Sequence, residues 1–268
     1  MINGRSFEWR ARTYVMGVVN VSPDSFAGDG LADVETAVEQ AKRFEAEGAD
    51  IIDVGGQSTR PDFEEIGVEE EIERIEPVIR AITEAVSLPV SIDTYRSEVA
   101  TVALAAGAHL VNDIWGFRKD PGLARLVAAW EVPAVIMHNQ RGRPFDDVIA
   151  DVRDGLNESL ELASDAGVAR ERLIIDPGFG FGWTVDQNLE MLRRLDELLD
   201  LGLPVLIGTS RKSTIGAVLD RPAEERLWGT AATVALAIAA GADIVRVHDV
   251  AEMAQVTRMA DAIVRGRR

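Results

Sequence analysis

The stretch GADIIDVGG at residues 48–56 has a near copy at residues 241–249, GADIVRVHD, and the pair decides how the rest of the chain is read. In each, glycine, alanine and aspartate precede a short apolar run. Glycine readily takes the left-handed backbone that ends a helix, and a strand covered on both faces of a parallel sheet is apolar along nearly its whole length. Each copy therefore reads as the end of a helix followed by a buried parallel strand. Gly107-Ala-His and Gly202-Leu-Pro put glycine at the same kind of junction.

Working outward from these junctions, the chain carries eight such runs. They are Tyr14 to Val19, Asp50 to Val54, Pro89 to Ile92, Leu110 to Val111, Ala134 to Met137, Leu173 to Ile175, Pro204 to Ile207 and Ile244 to Val247. Helix-length segments with 3.6-residue periodicity lie between them. The clearest has Val68, Ile72, Ile75, Ile79 and Ile82 on one apolar stripe, with Glu69, Glu70, Glu71 and Glu73 read as solvated surface. Proline or glycine marks the loops, and no linker or low-complexity tract divides the chain. The 268 residues are thus read as one domain, 1–268, with residues 1–13 as a short lead-in. Eight strand–helix units in a chain of this size predict an α/β fold of the (β/α)8 TIM-barrel type, with a doubly wound open sheet as the alternative.

Composition excludes several function classes. A net charge of −17 is the wrong sign for a sequence-independent nucleic-acid binder. With no cysteine there is no disulfide, thiolate metal site or cysteine nucleophile. The N-terminal MINGRSFEWRARTYV has no apolar signal-peptide core, and the longest apolar stretch, Ala231 to Ala240, is too short to span a bilayer. A soluble cytoplasmic protein with no membrane or nucleic-acid partner is expected.

In either architecture, ligands sit at the carboxyl ends of the strands, and every strand here ends on polar residues. They are Asn20, the GGQSTRP segment (55–61), Asp93, Asn112-Asp113, His138, Asp176, Gly208-Thr-Ser-Arg-Lys, and Arg246 to Asp249. Carboxylates and carboxamides turned inward suit a flat heterocycle with amidine-like N–H donors, such as a pterin or guanine edge. Arg60, Arg211, Lys212, Arg246 and His248 suggest a polyanion on the same rim. GTSRKSTIG (208–216) is not a P-loop, since Arg211 stands where that motif needs glycine before the lysine. His109, at the opposite end of its strand, is read as structural, and His138 as pocket lining.

Seven segments resemble, in order, the signatures of the dihydropteroate synthase family of pterin-binding enzymes. They are MGVVNVSPDSF (16–26), DVGGQSTRP (53–61), SIDTYR (91–96), NDIWG (112–116), DPGFGFG (176–182), GTSRKS (208–213) and RVHDV (246–250). The resemblance implies the barrel fold and a condensation of 6-hydroxymethyl-7,8-dihydropterin diphosphate with 4-aminobenzoate, giving 7,8-dihydropteroate and diphosphate, with Mg2+ as cofactor and a homodimer as the assembly. It implies that Asp93, Asn112, Asp176 and Lys212 hold the pterin, with Met137 also among the substrate-binding positions. By the same resemblance Asn20 meets the metal, Thr59, Arg60, Arg246 and His248 bind the diphosphate, and Pro61, Phe181 and Ser213 frame the aminobenzoate. Ser213 begins a helix, and a helix N-terminus favours a carboxylate. The chain departs from the family pattern at Gln57, Trp183, Thr214 and in the first loop, where the second acid is Asp29 while Asp24 is kept; altered aminobenzoate or sulfonamide affinity is the expected result. A pterin-binding methyltransferase and a non-catalytic pterin-binding protein are the alternatives. Retained Arg60, SRKS and RVH favour the synthase, because a methyltransferase needs no diphosphate site. The apolar segment from Ala231 to Ala240 fits a helix covered on two sides, as at a dimer interface, and equally one that packs only on its own barrel.

Overall fold

The computed structural model describes residues 1–21, 34–57, 65–142 and 144–266. Within these the strands are β1 (Tyr14–Asn20), β2 (Ile51–Gly55), β3 (Val90–Asp93), β4 (Leu110–Asp113), β5 (Ala134–Met137), β6 (Leu173–Asp176), β7 (Leu206–Ile207) and β8 (Ile244–Val247). Interleaved with them are α1 (Val34–Glu47), α2 (Val68–Ala85), α3 (Ser97–Ala105), α4 (Pro121–Trp130), α5 (Val148–Asp165) and α6 (Val185–Arg193). Three more helices, α7 (Ser213–Leu219), α8 (Leu227–Ala239) and α9 (Val250–Val264), complete the outer layer.

All named strand pairs are parallel, and β1 to β6 neighbour one another in chain order, with β8 on the far side of β1 and β7 beyond it. The two ends of this sheet meet: Ile175 of β6 bridges Val205, and its N–H donates to the Pro204 carbonyl at 2.9 Å. This contact closes the barrel and excludes the open sheet. The strands run further than their apolar cores, because Asn20, Asp93, Asn112, Asp113 and Asp176 stay in the ladder; Asp93 is in register with Asn112, and Asp176 with Met137. A polar side chain costs such a strand nothing in backbone hydrogen bonds.

Side chains alternate between the barrel interior and the helix layer. Tyr14, Met16, Ile51, Leu110, Val135, Ile174, Leu206 and Ile244 form the interior cluster, and Ile2, Phe7 and Trp9 from the lead-in pack onto it as a floor. The Phe7 and Tyr14 rings lie 4.6 Å apart. Intervening residues such as Ile52, Val54, Ile136 and Val245 join the larger core beneath the helices.

The repeated glycine-alanine-aspartate has a physical reading. Gly48 and Gly241 both take φ +100, and a Cβ on Gly241 would lie 2.7 Å from Leu199. The aspartates then tie neighbouring strands at their bottom ends: Asp50 accepts the Val15 N–H at 2.9 Å, and Asp243 accepts the Val205 N–H at 3.1 Å and the Arg10 N–H at 2.7 Å.

One surface reading is corrected. In α2 the buried residues are Glu71, Ile75, Val78, Ile79 and Ile82, whereas Val68 and Ile72 are half-buried. Glu71 is not solvated surface: it accepts from Thr94 Oγ1 and from Arg96, both at 2.8 Å. Burial pushes its carboxyl up, against the pull of these two partners. It lies on the stripe because it is four residues before Ile75, a spacing that outweighs its charge once partners are available.

Candidate active site

Alternation carries the interior positions up the strands from apolar to polar. Two residues beyond Ile51, Leu110, Ile174 and Ile244 of the interior cluster stand Asp53, Asn112, Asp176 and Arg246. A cavity of about 450 Å³, including its open mouth, lies at this end of the barrel. Asp93, Asn112, Asp176, Lys212, Arg246 and His248 supply its polar lining, and Met137 and Phe181 its apolar walls. Ile114, Gly208 and Ser210, to which the sequence reading gave no binding role, line it as well.

The floor of this cavity is an ionic network. Arg246 donates from Nε to Asp53 Oδ2 and from Nη2 to Asp93 Oδ2, both at 2.6 Å, and Asn112 Nδ2 donates to the same Asp53 oxygen at 3.1 Å. Burial works against the Arg246 charge, but Asp53 and Asp93 hold its pKa well above the ordinary value. Burial pushes the Asp93 carboxyl up to about 7; Arg246 opposes this and the neighbouring Asp53 adds to it. Asp53 is the residue that sequence reasoning passed over. Its signal was a charged residue in the middle of an apolar run, which no strand buried on both faces tolerates without a partner.

Lys212 and Asp176 form the other wall. Lys212 Nζ donates to the Phe179 carbonyl and sits 4.3 Å from the centroid of the Phe181 ring. Burial lowers the ammonium to about 8, against the pull of Asp176, and burial raises Asp176 to about 6 despite Lys212 and the Gly178 N–H it accepts at 2.8 Å. The DPGFGFG loop can come this close because Gly180, at φ +84, has no Cβ; one would lie 2.6 Å from Lys212 Cδ. The turn that delivers Lys212 puts Arg211 at φ 57, a costly conformation for a long side chain. Two bonds hold it there: Arg211 N–H to Thr230 Oγ1 at 3.1 Å, and Arg226 Nη1 to the Arg211 carbonyl at 2.9 Å.

Several residues expected at the mouth are elsewhere. The Arg211 guanidinium pairs with Asp249, donating from Nε at 2.9 Å, so these two neutralise each other beside the cavity. Asp113 turns into its own loop and accepts the Trp115 and Phe117 N–H groups at 2.8 and 2.6 Å. His138 is not pocket lining: it is fully buried, its Nε2 is 2.8 Å from Asp151 Oδ2 on α5, and its ring faces Trp183 at 5.9 Å. Strand alternation explains this, because Met137 points inward and its successor must point outward. His109 is structural as read, its Nδ1 accepting the Val90 N–H at 3.1 Å.

His248 lies at the mouth with Nδ1 3.0 Å from Ser210 Oγ, and burial, with Arg246 and Arg211 nearby, lowers it to about 4. Its imidazole is therefore neutral at pH 7. Asn20 ends β1 beside Gly55, and Ser213, exposed, opens α7. Thr59, Arg60 and Pro61, like Asp24 and Asp29, lie outside the described residues. The departures Trp183 and Thr214 are both buried, and Trp183 packs edge-on against Phe145 at 5.1 Å.

Comparison with known proteins agrees with this geometry. The family described as pterin binding enzyme matches residues 16–248. A dihydropteroate synthase of Clostridium beijerinckii is 48% identical over 98% of this chain and 99% of its own. The structure of the Clostridium difficile dihydropteroate synthase in the presence of pteroic acid superposes with a TM-score of 0.94 at 47% identity, covering 97% of this chain and 100% of that one. That of Xanthomonas albilineans in complex with 7,8-dihydropteroate gives 0.87 at 42% identity over 94% of each chain. With the barrel closed, the polar ring at its mouth and the match running nearly end to end, the chain belongs to the pterin-binding enzymes and, among them, to the dihydropteroate synthases.

Proposed function

We propose that the cavity condenses 6-hydroxymethyl-7,8-dihydropterin diphosphate with 4-aminobenzoate, with its residues in the roles that follow. The observation that carries this is the meeting of Asp93, Asn112, Asp176 and Lys212 with Arg246 and His248 around one cavity. The pterin edge offers N–H donors and a carbonyl. Ionised Asp176 and Asp93 accept from the donors, Asn112 supplies both a donor and an acceptor, and Lys212 donates to an acceptor atom. Met137 and Phe181 give the ring an apolar surround. Arg246 and neutral His248 face the diphosphate, with Arg60 and Thr59 as further contacts.

The bond from the exocyclic methylene to the diphosphate oxygen breaks, its electron pair leaving with the diphosphate, and a bond from the methylene to the aminobenzoate nitrogen forms, with one amine proton passing to the departing diphosphate or to solvent. Positive charge develops on the methylene and pterin as the anion departs. Asp176 stabilises it electrostatically. The amine attacks without prior deprotonation, so no enzyme nucleophile is needed. Pro61, Phe181 and Ser213 frame the aminobenzoate in this reading.

Magnesium fits the donors at the end of β1. A Cβ placed on Gly55 would make ordinary contact with Asp93 Cβ at 3.5 Å and with Asn20 Oδ1 and Asp93 Oδ2, both at 3.7 Å, so the glycine lies beside two hard oxygen atoms, of which Asp93 Oδ2 is already bonded to Arg246. An ion that keeps few protein ligands and takes the rest from phosphate and water suits a single carboxamide such as Asn20. When bound, it supplies charge for the leaving diphosphate.

A homodimer is part of the same reading. Its support is the face of α8 and α9, where Trp228, Leu236, Met259 and Ile263 are all more than 60% exposed. The expected cytoplasmic location belongs here too, and cell fractionation checks it. The central experiment mixes purified protein, dihydropterin diphosphate, aminobenzoate and Mg2+ and follows diphosphate and dihydropteroate together. Equal yields of both are expected; absence of aminobenzoate-dependent product refutes the reading.

A further inference from the structure

Asp53 has no solvent exposure and is absent from the cavity lining, yet it is bonded to two side chains that line it. One oxygen, Oδ2, takes both the Arg246 Nε proton and an Asn112 amide proton; the other, Oδ1, is buried and meets no donor among the described residues. The strand register explains how β2 reaches both. Asp53 pairs with Val18 of β1 and Ser91 of β3, placing it one level below Asp93, while β8 lies across β1. Burying a carboxylate is costly unless it is well paired, and here the partners of Asp53 are two groups that line the cavity.

The partners of Arg246 suggest what this pairing does. The guanidinium now spends Nε on Asp53 and Nη2 on Asp93. In the proposed function, Asp93 is wanted by the pterin and Arg246 by the diphosphate, so this second bond must be given up when substrate enters. The bond to Asp53 need not be. A guanidinium held at Nε keeps its plane and position while its terminal nitrogens change partners, which a lysine or an unanchored arginine does not do.

We propose that Asp53 is a positioning residue for the condensation: it anchors Arg246 through Nε and Asn112 through its amide, and so presets both for the pterin diphosphate before that substrate arrives. It touches neither substrate. Its removal therefore weakens pterin diphosphate binding and leaves the aminobenzoate site intact. This rests on the proposed roles of Arg246 and Asn112 in binding that substrate.

The test is steady-state kinetics of Asp53→Asn, Arg246→Gln and the double variant, with thermal melting as a check of folding. Asp53→Asn keeps the shape and a weaker acceptor, so it is the variant expected to fold. Its KM for dihydropterin diphosphate is expected to rise by about tenfold or more, as for loss of a charged hydrogen bond, with the KM for aminobenzoate unchanged. Because the effect runs largely through Arg246, the double variant is expected to be little worse than Arg246→Gln alone. Unchanged KM for the pterin substrate in a folded Asp53→Asn overturns the proposal, and so does a double variant whose losses multiply. Failure of the unaltered protein to form dihydropteroate would instead refute the proposed function, so the two failures are distinguishable.

Discussion

At the scale of single residues, the site is governed by burial of charge. Lys212 bonds the Phe179 carbonyl and faces Asp176, and burial brings it down to about 8 while raising Asp176 to about 6. The productive free enzyme needs the carboxylates ionised and the lysine protonated. Activity is thus lost as pH falls through about 6 to 7, where Asp176 and Asp93 protonate, and lost again as pH rises through about 8. A bell-shaped profile of kcat/KM for the pterin substrate is expected, and Lys212→Arg should move the basic limb upward if it retains activity. A profile flat across neutral pH would show that these groups do not control binding. Lys212→Ala should fold normally and lose roughly 10- to 150-fold in kcat/KM, the equivalent of one charged hydrogen bond. The candidate ring was legible in the sequence because it sits at strand ends. The pairing of Arg211 with Asp249 was not, since it joins residues 38 positions apart across two loops.

At the scale of elements, the glycine-alanine-aspartate junction does two things at once. Its glycine ends a helix, and its aspartate ties the strand bottoms. Asp243 is fully buried, accepts two backbone N–H groups and lies 3.3 Å from Arg10 Nε. Asp243→Ala leaves those donors unsatisfied, and a loss of about 2–4 kcal/mol is expected, seen as a lower midpoint in thermal or urea unfolding. Asp50→Ala should cost less, because Asp50 is not fully buried and pairs with the half-exposed Arg12. Equal losses would show that burial is not what distinguishes the two junctions. Helix α2 gives the complementary lesson. Periodicity placed its stripe, but whether Glu71 faced solvent depended on Thr94 and Arg96 arriving from the loop after β3.

At the scale of the whole molecule, the barrel closes through the bridge between β6 and the residues before β7, and the lead-in seals its floor with Phe7 and Trp9. Among the described residues, α8 and α9 carry the exposed apolar side chains Trp228, Leu236, Met259 and Ile263. Leu236→Asp there is expected to convert a dimer to monomers in light scattering while leaving the melting curve cooperative; an unchanged mass would place any dimer contact elsewhere. The sequence by itself determined the number and order of the strands, the glycine junctions and the polar residues that end the strands, because backbone propensity, periodicity and burial of apolar runs act over a few neighbouring residues. Only the tertiary structure decided which of those polar residues enter the cavity. The inward or outward turn of each strand separates Met137 from His138, and long-range ion pairing gives Arg211 to Asp249 and draws Asp53 beneath Arg246. Those choices depend on partners brought together by closure of the barrel, which no local stretch of sequence contains.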